Sequence, residues 1–183
     1  MLQIKTLTQL DQADLHRIMC GYTSTEIYVV SKEESPERTT ISLELVTLDQ
    51  PYVKQWTDDD GGEYAACFEY ELSLGVYDGE LLVGLALAEA REWNKSLWIW
   101  QFGVDADYKR RGIGRRLMDE LAHRATKAGL RIMVAETQNT NVPAIRFYRA
   151  AGFEIDAIDL SYYPNHDVTD FEVAVFMKRR LTG

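Results

Sequence analysis

Val104-Asp105-Ala106-Asp107-Tyr108-Lys109-Arg110-Arg111-Gly112-Ile113-Gly114-Arg115 is the stretch on which the reading of this chain turns. It joins an apolar run, Leu97–Val104, to a segment in which Ile113, Leu117, Leu121 and Ala125 recur at helical spacing. A strand therefore feeds a helix through a basic, glycine-containing turn. The first N–H groups of a helix have no acceptor within it, and the helix dipole favours an anion at that end. Gly112 and Gly114 leave the backbone open to close approach. Lys109, Arg110, Arg111, Arg115 and Arg116 gather five cations at this turn in a chain whose net charge is -9. Clustering against the global balance is the informative part: it suits a phosphate-bearing ligand, although taken alone a turn with solvated arginines would look similar. The turn is not a dinucleotide fingerprint, because Leu117 stands where the third glycine belongs, and no Gly-Lys-Ser/Thr makes it a nucleoside-triphosphate loop.

Working outward, Leu97–Val104 is expected to be a central strand covered on both sides. Trp98, Trp100, Phe102 and Val104 share one face, and Leu97 and Ile99 the other. Upstream, Cys67–Tyr77 and Glu80–Ala90 read as strands joined at Asp78-Gly79, a strong hairpin signal. Downstream, the helix stops at Gly129, a strand covers Leu130–Thr137, a second helix covers Asn141–Ala151, and strands follow at Phe153–Ser161 and Phe171–Arg179. The N-terminal third gives a strand at Leu2–Leu7 and a helix from Thr8 to Met19 that Gly21 would end. Strands at Ser24–Ser31 and Thr39–Leu48 flank a loop at Glu33–Glu37. Asp49–Tyr64, with Pro51, Asp58-Asp59-Asp60 and Gly61-Gly62, reads as an exposed acidic loop. A solvated turn is the plain reading of that loop. A substrate-facing flap is the other, because Trp56 and Tyr64 beside Asp58, Asp59 and Asp60 suit an organic cation. The expected fold is an α/β three-layer sandwich, a mixed and mostly antiparallel central sheet flanked by helices, in one domain over residues 1–183.

Composition narrows the function. The chain has 183 residues, 46% hydrophobic and 27% charged, which is ordinary for one globular domain. With 20 Lys and Arg against 29 Asp and Glu it repels nucleic acid and favours a cationic partner. No apolar run approaches the roughly 20 residues that span a bilayer, so no membrane partner is expected and the reading is cytoplasmic. Cys20 and Cys67 are too few for a disulfide framework and are expected reduced and buried. His16, His123 and His166 lack metal-ligand spacing, so no metal is expected.

A second segment, Asn141-Val142-Pro143-Ala144-Ile145-Arg146-Phe147-Tyr148-Arg149-Ala150-Ala151-Gly152-Phe153, follows the next strand. Together with Lys109-Arg110-Arg111-Gly112-Ile113-Gly114 it resembles the GNAT family of N-acetyltransferases. The family's Arg/Gln-x-x-Gly-x-Gly/Ala motif is met with Lys109 in the first place, which keeps the charge and loses the planar fork. Its Asn-x-x-Ala-x-x-Phe-Tyr-x-x-x-Gly-Phe motif is met at Asn141, Ala144, Phe147, Tyr148, Gly152 and Phe153. The resemblance covers residues 66–180.

What the resemblance implies follows residue by residue. The amides of Arg110, Arg111, Gly112, Ile113 and Gly114, with the Lys109 and Arg115 charges, would hold the pyrophosphate of acetyl-CoA. Phe102, Gly103 and Val104 would run beside its pantetheine arm, with a bulge at Gly103 and an N–H near Val104 polarising the thioester carbonyl. Asn141 would hydrogen-bond the arm, or serve as a helix N-cap, or both. Tyr148 would protonate the departing thiolate. A primary amine with pKa about 10.4 must lose a proton before it attacks. The carboxylate that many relatives carry on the strand before the turn is absent here, where Trp98, Trp100, Gln101 and Phe102 stand. Glu136, Glu89, Glu92 and a water relay remain as candidate bases.

Shorter stretches resemble the streptothricin acetyltransferases: Leu45–Lys54, Trp93-Asn94, Glu136–Asn141 and Glu172–Met177. This implies a small-molecule amine acceptor, plausibly a cationic one that Asp58, Asp59, Asp60 and Glu136 attract. An acetyltransferase for a polyamine or a protein amine, and a non-catalytic acetyl-CoA-binding module, are the alternatives. A homodimer stays open.

Overall fold

The computed structural model describes residues 1–56, 64–163 and 172–181. They form two compact units, each assembled from separated stretches of chain. The first comprises Met1–Cys20, Gln55–Ala135 and the stretch from Lys178, and the second Gly21–Lys54 and Glu136–Met177.

The first unit holds β1 (Leu2–Thr6), α1 (Gln12–Ile18), β4 (Leu74–Asp78), β5 (Leu81–Arg91), β6 (Ser96–Val104) and α2 (Ile113–Lys127). It also holds the first part of β7 (Ile132–Gln138) and the last part of β9 (Ala174–Arg180). The strands follow the order β1-β4-β5-β6-β7-β9. β1, β4, β5 and β6 pair antiparallel in turn, and β6 pairs parallel to β7 across the α2 connection. The sheet is thus mixed and mostly antiparallel, as expected, and helices pack on it. α1 lays Leu15 and Ile18 against Leu7, Leu82, Leu85 and Leu87. α2 buries Ile113, Leu117, Leu121 and Ala125, the periodic face read from the sequence. Each Leu or Ile side chain so removed from water contributes roughly 1.5–3 kcal/mol. α2 closes with Leu130 N–H on the Ala125 carbonyl (3.0 Å) and Gly129 N–H on that of Thr126 (2.9 Å), the paired bonds that end a helix at a glycine.

The second unit holds β2 (Tyr22–Glu34) and β3 (Thr39–Lys54), an antiparallel pair forming its own two-stranded sheet. With them are the end of β7, α3 (Val142–Ala150), β8 (Glu154–Asp159) and the start of β9. Asn139, 1% exposed, ties this unit together. Its amide donates to the Tyr28 carbonyl (2.7 Å) and accepts from the Val173 N–H (2.8 Å), while its backbone bonds the same two residues.

Several expectations need correcting. Two sheets are present where one was read. α1 begins only at Gln12, because the Asp11 side chain accepts from the Ala13 N–H (2.7 Å) and caps it. The helix ends at Ile18, so Gly21 does not terminate it. Glu33 and Glu34 belong to β2, and Asp49–Lys54 to β3 rather than to a loop. Pro51 is tolerated because it falls in the register break between Ser24↔Tyr52 and Glu26↔Thr47, where no ladder donor is needed. Cys67 lies in a short 3-10 turn, Ala65–Phe68, and the strand starts at Leu74. Cys20 is exposed, and only Cys67 is buried.

The largest correction concerns β6. Leu87 pairs with Gln101 and Ala88 with Ile99, so Trp100 is an extra residue and the bulge sits there, not at Gly103. One extra residue exchanges the faces beyond it. Phe102 and Val104 therefore share the face of Leu97 and Ile99, and Gly103 joins Trp98 on the face that meets α1. A Cβ on Gly103 would lie 2.6 Å from Met19 Sδ and 2.8 Å from Ile18 Cγ2, so close packing is what this position requires. Nor is the strand covered along its whole length: Trp100 is 43% exposed.

Candidate functional site

In the first unit, β6 enters the basic turn through Asp105. Its N–H bonds the Val83 carbonyl (3.0 Å), its carboxylate accepts from the Asp107 N–H (3.0 Å), and its other oxygen accepts from Arg17 of α1. A short 3-10 turn, Ala106–Tyr108, follows. Arg110 and Gly112 then take positive φ, 61° and 74°, and Gly112 is the N-cap of α2. A side chain at Gly112 would be strained by that φ, yet a Cβ there would meet nothing within 4 Å. The first bond across the helix start is Arg116 N–H to the Gly112 carbonyl, 3.1 Å. The amides of Ile113, Gly114 and Arg115 precede it and have no acceptor within the helix.

The five cations of this turn divide. Arg111 donates to the Asp107 carbonyl (2.8 Å) and lies over the Tyr108 ring (4.8 Å), and Arg115 chelates Asp119 (2.9 and 3.1 Å). These two are engaged in holding the turn. Lys109, Arg110 and Arg116 have no partner among the described residues. Open amides, a left-handed N-cap with free space beside it and uncommitted cations fit a diphosphate.

Beyond its bulge β6 keeps β5 as its ladder partner from Gln101 to Val104, while the ladder with β7 runs from Ser96↔Ile132 to Ile99↔Ala135. Phe102, Gly103 and Val104 thus form a strand end with a second edge outside the recorded pairing. Gln101 donates to the Tyr64 hydroxyl (2.8 Å), and Tyr64 packs against the Leu7–Leu87 cluster. Trp56 is half-buried in the same unit. Asp58, Asp59 and Asp60 lie outside the described residues, as does His166. Glu89 accepts the Trp100 indole N–H (2.7 Å), and Glu92 pairs with Lys95, so both alternative bases are engaged locally.

The second unit carries the other residues read from the sequence. Asn141 caps α3, its side chain accepting from the Ala144 N–H (3.2 Å), so the N-cap reading holds. Phe147 and Phe153 flank Tyr148 at 5.6 and 5.3 Å between centroids. Tyr148 is 7% exposed, and burial with the nearby Glu136 charge pushes its phenol well above the ordinary value. It stays protonated across the working range. Glu136, on β7, accepts from the Tyr163 hydroxyl, which accepts in turn from Gln138 Nε2 (3.0 Å). Burial pushes the Glu136 carboxyl up and the Glu172 charge adds to this, while the Tyr163 bond and Lys54 pull it back.

The sequence reading missed Glu172 as a site residue. Its side chain is only 2% exposed and accepts from Lys54 Nζ (2.7 Å), Tyr52 Oη (2.7 Å), Thr140 Oγ1 (2.9 Å) and Tyr22 Oη (3.4 Å). Burial alone would raise this carboxyl. The Lys54, Tyr52 and Thr140 donors outweigh it and hold it below the usual range. The available signal was a charged residue inside an apolar strand-forming tail, which asks for a buried partner. Among the described residues no cluster of His, Cys, Asp and Glu could hold a metal ion, and no helix is long and apolar enough to cross a membrane.

Comparison with known proteins adds to this geometry. The model of the acetyltransferase (GNAT) family matches residues 41–153. The streptothricin acetyltransferase of Streptomyces lavendulae is 32% identical over 143 residues, 74% of this chain and 74% of that protein. Among solved structures, a nourseothricin acetyltransferase superposes with a TM-score of 0.76 at 24% identity, covering 99% of each chain. A Bacillus anthracis str. Ames protein described as a streptothricin acetyltransferase, solved in complex with acetyl coenzyme A, superposes with a TM-score of 0.73 at 20% identity, covering 100% of this chain and 99% of that one. At those identities the two structures speak for the fold.

Proposed function

Since this chain belongs to the GNAT family of acetyltransferases, we propose that it transfers the acetyl group of acetyl-CoA to a primary amine on a cationic small molecule of the streptothricin type. The single observation that carries the reading is the turn from Asp105 to Arg116, with its open amides, left-handed Gly112 and Lys109, Arg110 and Arg116 uncommitted among the described residues. Its amides and cations would hold the coenzyme's diphosphate, and the end of β6, Phe102 to Val104, its pantetheine arm.

Acetyl-CoA supplies an acyl thioester that a neutral amine can attack. The chain's own residues handle protons. An ammonium of pKa about 10.4 is nearly all charged at neutral pH, so a base is needed. Glu136 takes that proton at the carboxylate oxygen that Tyr163 does not hold, and its burial makes it a stronger base than an exposed glutamate. Tyr148 holds a proton at Oη and gives it to the leaving sulfur, because a thiol of pKa about 8.5 leaves more readily neutral. Trp56, Tyr64 and the Asp58–Asp60 run would attract the acceptor. We further propose that residues 1–183 act as one catalytic domain in the cytoplasm.

The test is to incubate the protein with acetyl-CoA and streptothricin, spermidine, lysine or short peptides and to follow thiol release. Turnover of streptothricin well above the others is expected. Preference for spermidine or a peptide would replace the acceptor, and binding of acetyl-CoA with no turnover of any amine would leave a non-catalytic module.

A further inference from the structure

Four charged or titratable groups among the described residues act on Glu136: Tyr163 after β8 by a hydrogen bond, and Lys54 at the end of β3, Glu172 before β9 and Tyr148 on α3 within electrostatic range. Lys54 is the only cation in that set. It is not free to wander, because its ammonium is held by Glu172 at 2.7 Å and lies 5.9 Å from the Tyr163 ring centroid. Glu172 is fixed in turn by Tyr52, Thr140 and Tyr22, with the Tyr22 and Thr140 hydroxyls 2.6 Å apart. Tyr163 is clamped by Gln138 at its hydroxyl and by Tyr162, whose ring also meets Phe176 edge-on at 5.5 Å.

So many donors around one buried carboxylate are more than a fold needs, since a buried ion pair is weak evidence of stability and is often replaceable by apolar packing. What the arrangement does provide is a fixed cation and a fixed hydroxyl beside a second carboxylate. We infer that Tyr163 and the Lys54–Glu172 pair are positioning residues for Glu136, and that this pair fixes the charge state in which Glu136 meets the substrate amine. Tyr163 occupies one carboxylate oxygen and leaves the other for the ammonium. Lys54 favours the ionised, proton-accepting form, and Glu172 holds Lys54 at its post while opposing it weakly. The inference rests on the reading of Glu136 as proton acceptor.

The signs follow from the charges. Removing the Tyr163 hydroxyl or the Lys54 ammonium takes away a group that stabilises ionised Glu136, so its titration moves to higher pH. Removing the Glu172 charge takes away a repulsion, so it moves to lower pH. What a merely structural role would not move is the acid limb of kcat/KM, which should follow each displacement.

The experiment is carboxyl-carbon NMR of the full chain labelled at glutamate, assigned with Glu136→Gln, in wild type, Tyr163→Phe, Lys54→Met and Glu172→Gln, beside the pH profile of kcat/KM. Upward displacement in the first two variants, downward in the third, and an acid limb that follows each are expected. Tyr163→Phe should also lose about ten- to a hundredfold in kcat/KM for the amine with KM for acetyl-CoA unchanged. An unmoved Glu136 titration, or one that moves the same way in all three, overturns the inference. If Lys54→Met does not fold, Lys54→Arg substitutes for it: it should keep the wild-type midpoint, and a displaced one counts against the inference. Undiminished turnover in Glu136→Gln overturns the proton-acceptor reading instead, and is told apart because the NMR titrations still move as stated.

Discussion

Arg17 of α1 pairs with Asp105, 88 residues away in sequence, where β6 hands the chain to the basic turn. The same guanidinium donates to the Leu82 carbonyl at 2.7 Å, and the same carboxylate caps Asp107. One helix residue thereby fixes the starting point of the turn proposed to meet the coenzyme. Asp105→Ala is expected to lower stability by about 1–2 kcal/mol, because it removes the acceptor of Arg17 Nη1 and of the Asp107 N–H, while Arg17 Nη2 keeps Asp14 and the Leu82 carbonyl. KM for acetyl-CoA should rise more than kcat falls. Steady-state kinetics and thermal melts check both, and an unchanged KM would detach the pair from the turn's function.

Gly112 and Gly103 should fail differently. At Gly112 there is open space but a φ of 74°, so Gly112→Ala costs about 1–2 kcal/mol of backbone strain and Gly112→Glu adds a negative charge where the proposed diphosphate would sit. Calorimetry should find acetyl-CoA binding abolished in Gly112→Glu in a folded protein. Gly103→Ala meets Met19 and Ile18 and should lose about 1–3 kcal/mol by overpacking. Wild-type binding by Gly112→Glu would remove the pyrophosphate assignment.

Tyr148→Phe keeps the ring between Phe147 and Phe153 and removes only the hydroxyl. Turnover is expected to fall about a hundredfold or more with little change in coenzyme affinity. In the wild type the buried phenol should resist ionisation past the ordinary tyrosine range near pH 10. Ultraviolet titration of wild type against the variant should show one fewer phenol ionising before unfolding only at high pH. Full activity in the variant would end the acid assignment.

Glu136 and Glu172 should make opposite contributions to stability against pH. The folded Glu136 carboxyl binds its proton more tightly than the unfolded one, so the stability linked to it is present at acid pH and is lost as pH rises through its folded value. Glu172 binds its proton less tightly when folded, so its contribution is present above the unfolded carboxylate value of about 4.3 and is lost as pH falls. Glu136→Gln is therefore expected to raise Tm by about 2–4 °C at pH 8 while abolishing turnover. Glu172→Gln should lower Tm at pH 8. Melts from pH 4 to pH 8 decide the matter.

The two thiols should separate cleanly. Cys20 is exposed, and burial with the Glu89 charge pushes the Cys67 thiol up to about 11. A thiol reagent at pH 8 should modify Cys20 alone until denaturant is added. Rapid double labelling would contradict the packing around Cys67.

The parts of this molecule legible in its sequence are those with a local physical signature. α2 was visible because its buried face repeats every three to four residues, and the basic turn because charge clustered against the overall balance. What escaped reading depends on partners far away in the chain. The bulge at Trp100 leaves no mark in an alternation of apolar residues that runs on without a break, because the extra residue is defined only against β5. The extent of β2 and β3 was underestimated because both carry exposed residues along most of their length, so neither burial nor alternation announces them. Glu172 stood out only as a charge in an apolar tail, and its role stayed hidden because its donors come from Tyr22, Tyr52, Lys54 and Thr140, which only the fold assembles.

The extra residue at Trp100 also changes what inheritance can do to this strand. A count that slips once is a matter of parity, and parity is blind to side-chain identity. Any point substitution along β6 leaves Phe102 and Val104 on the side they now occupy. Only an insertion or a deletion could return them to the tryptophan side, which makes the arrangement at the strand's end tolerant of sequence drift and intolerant of a change in length.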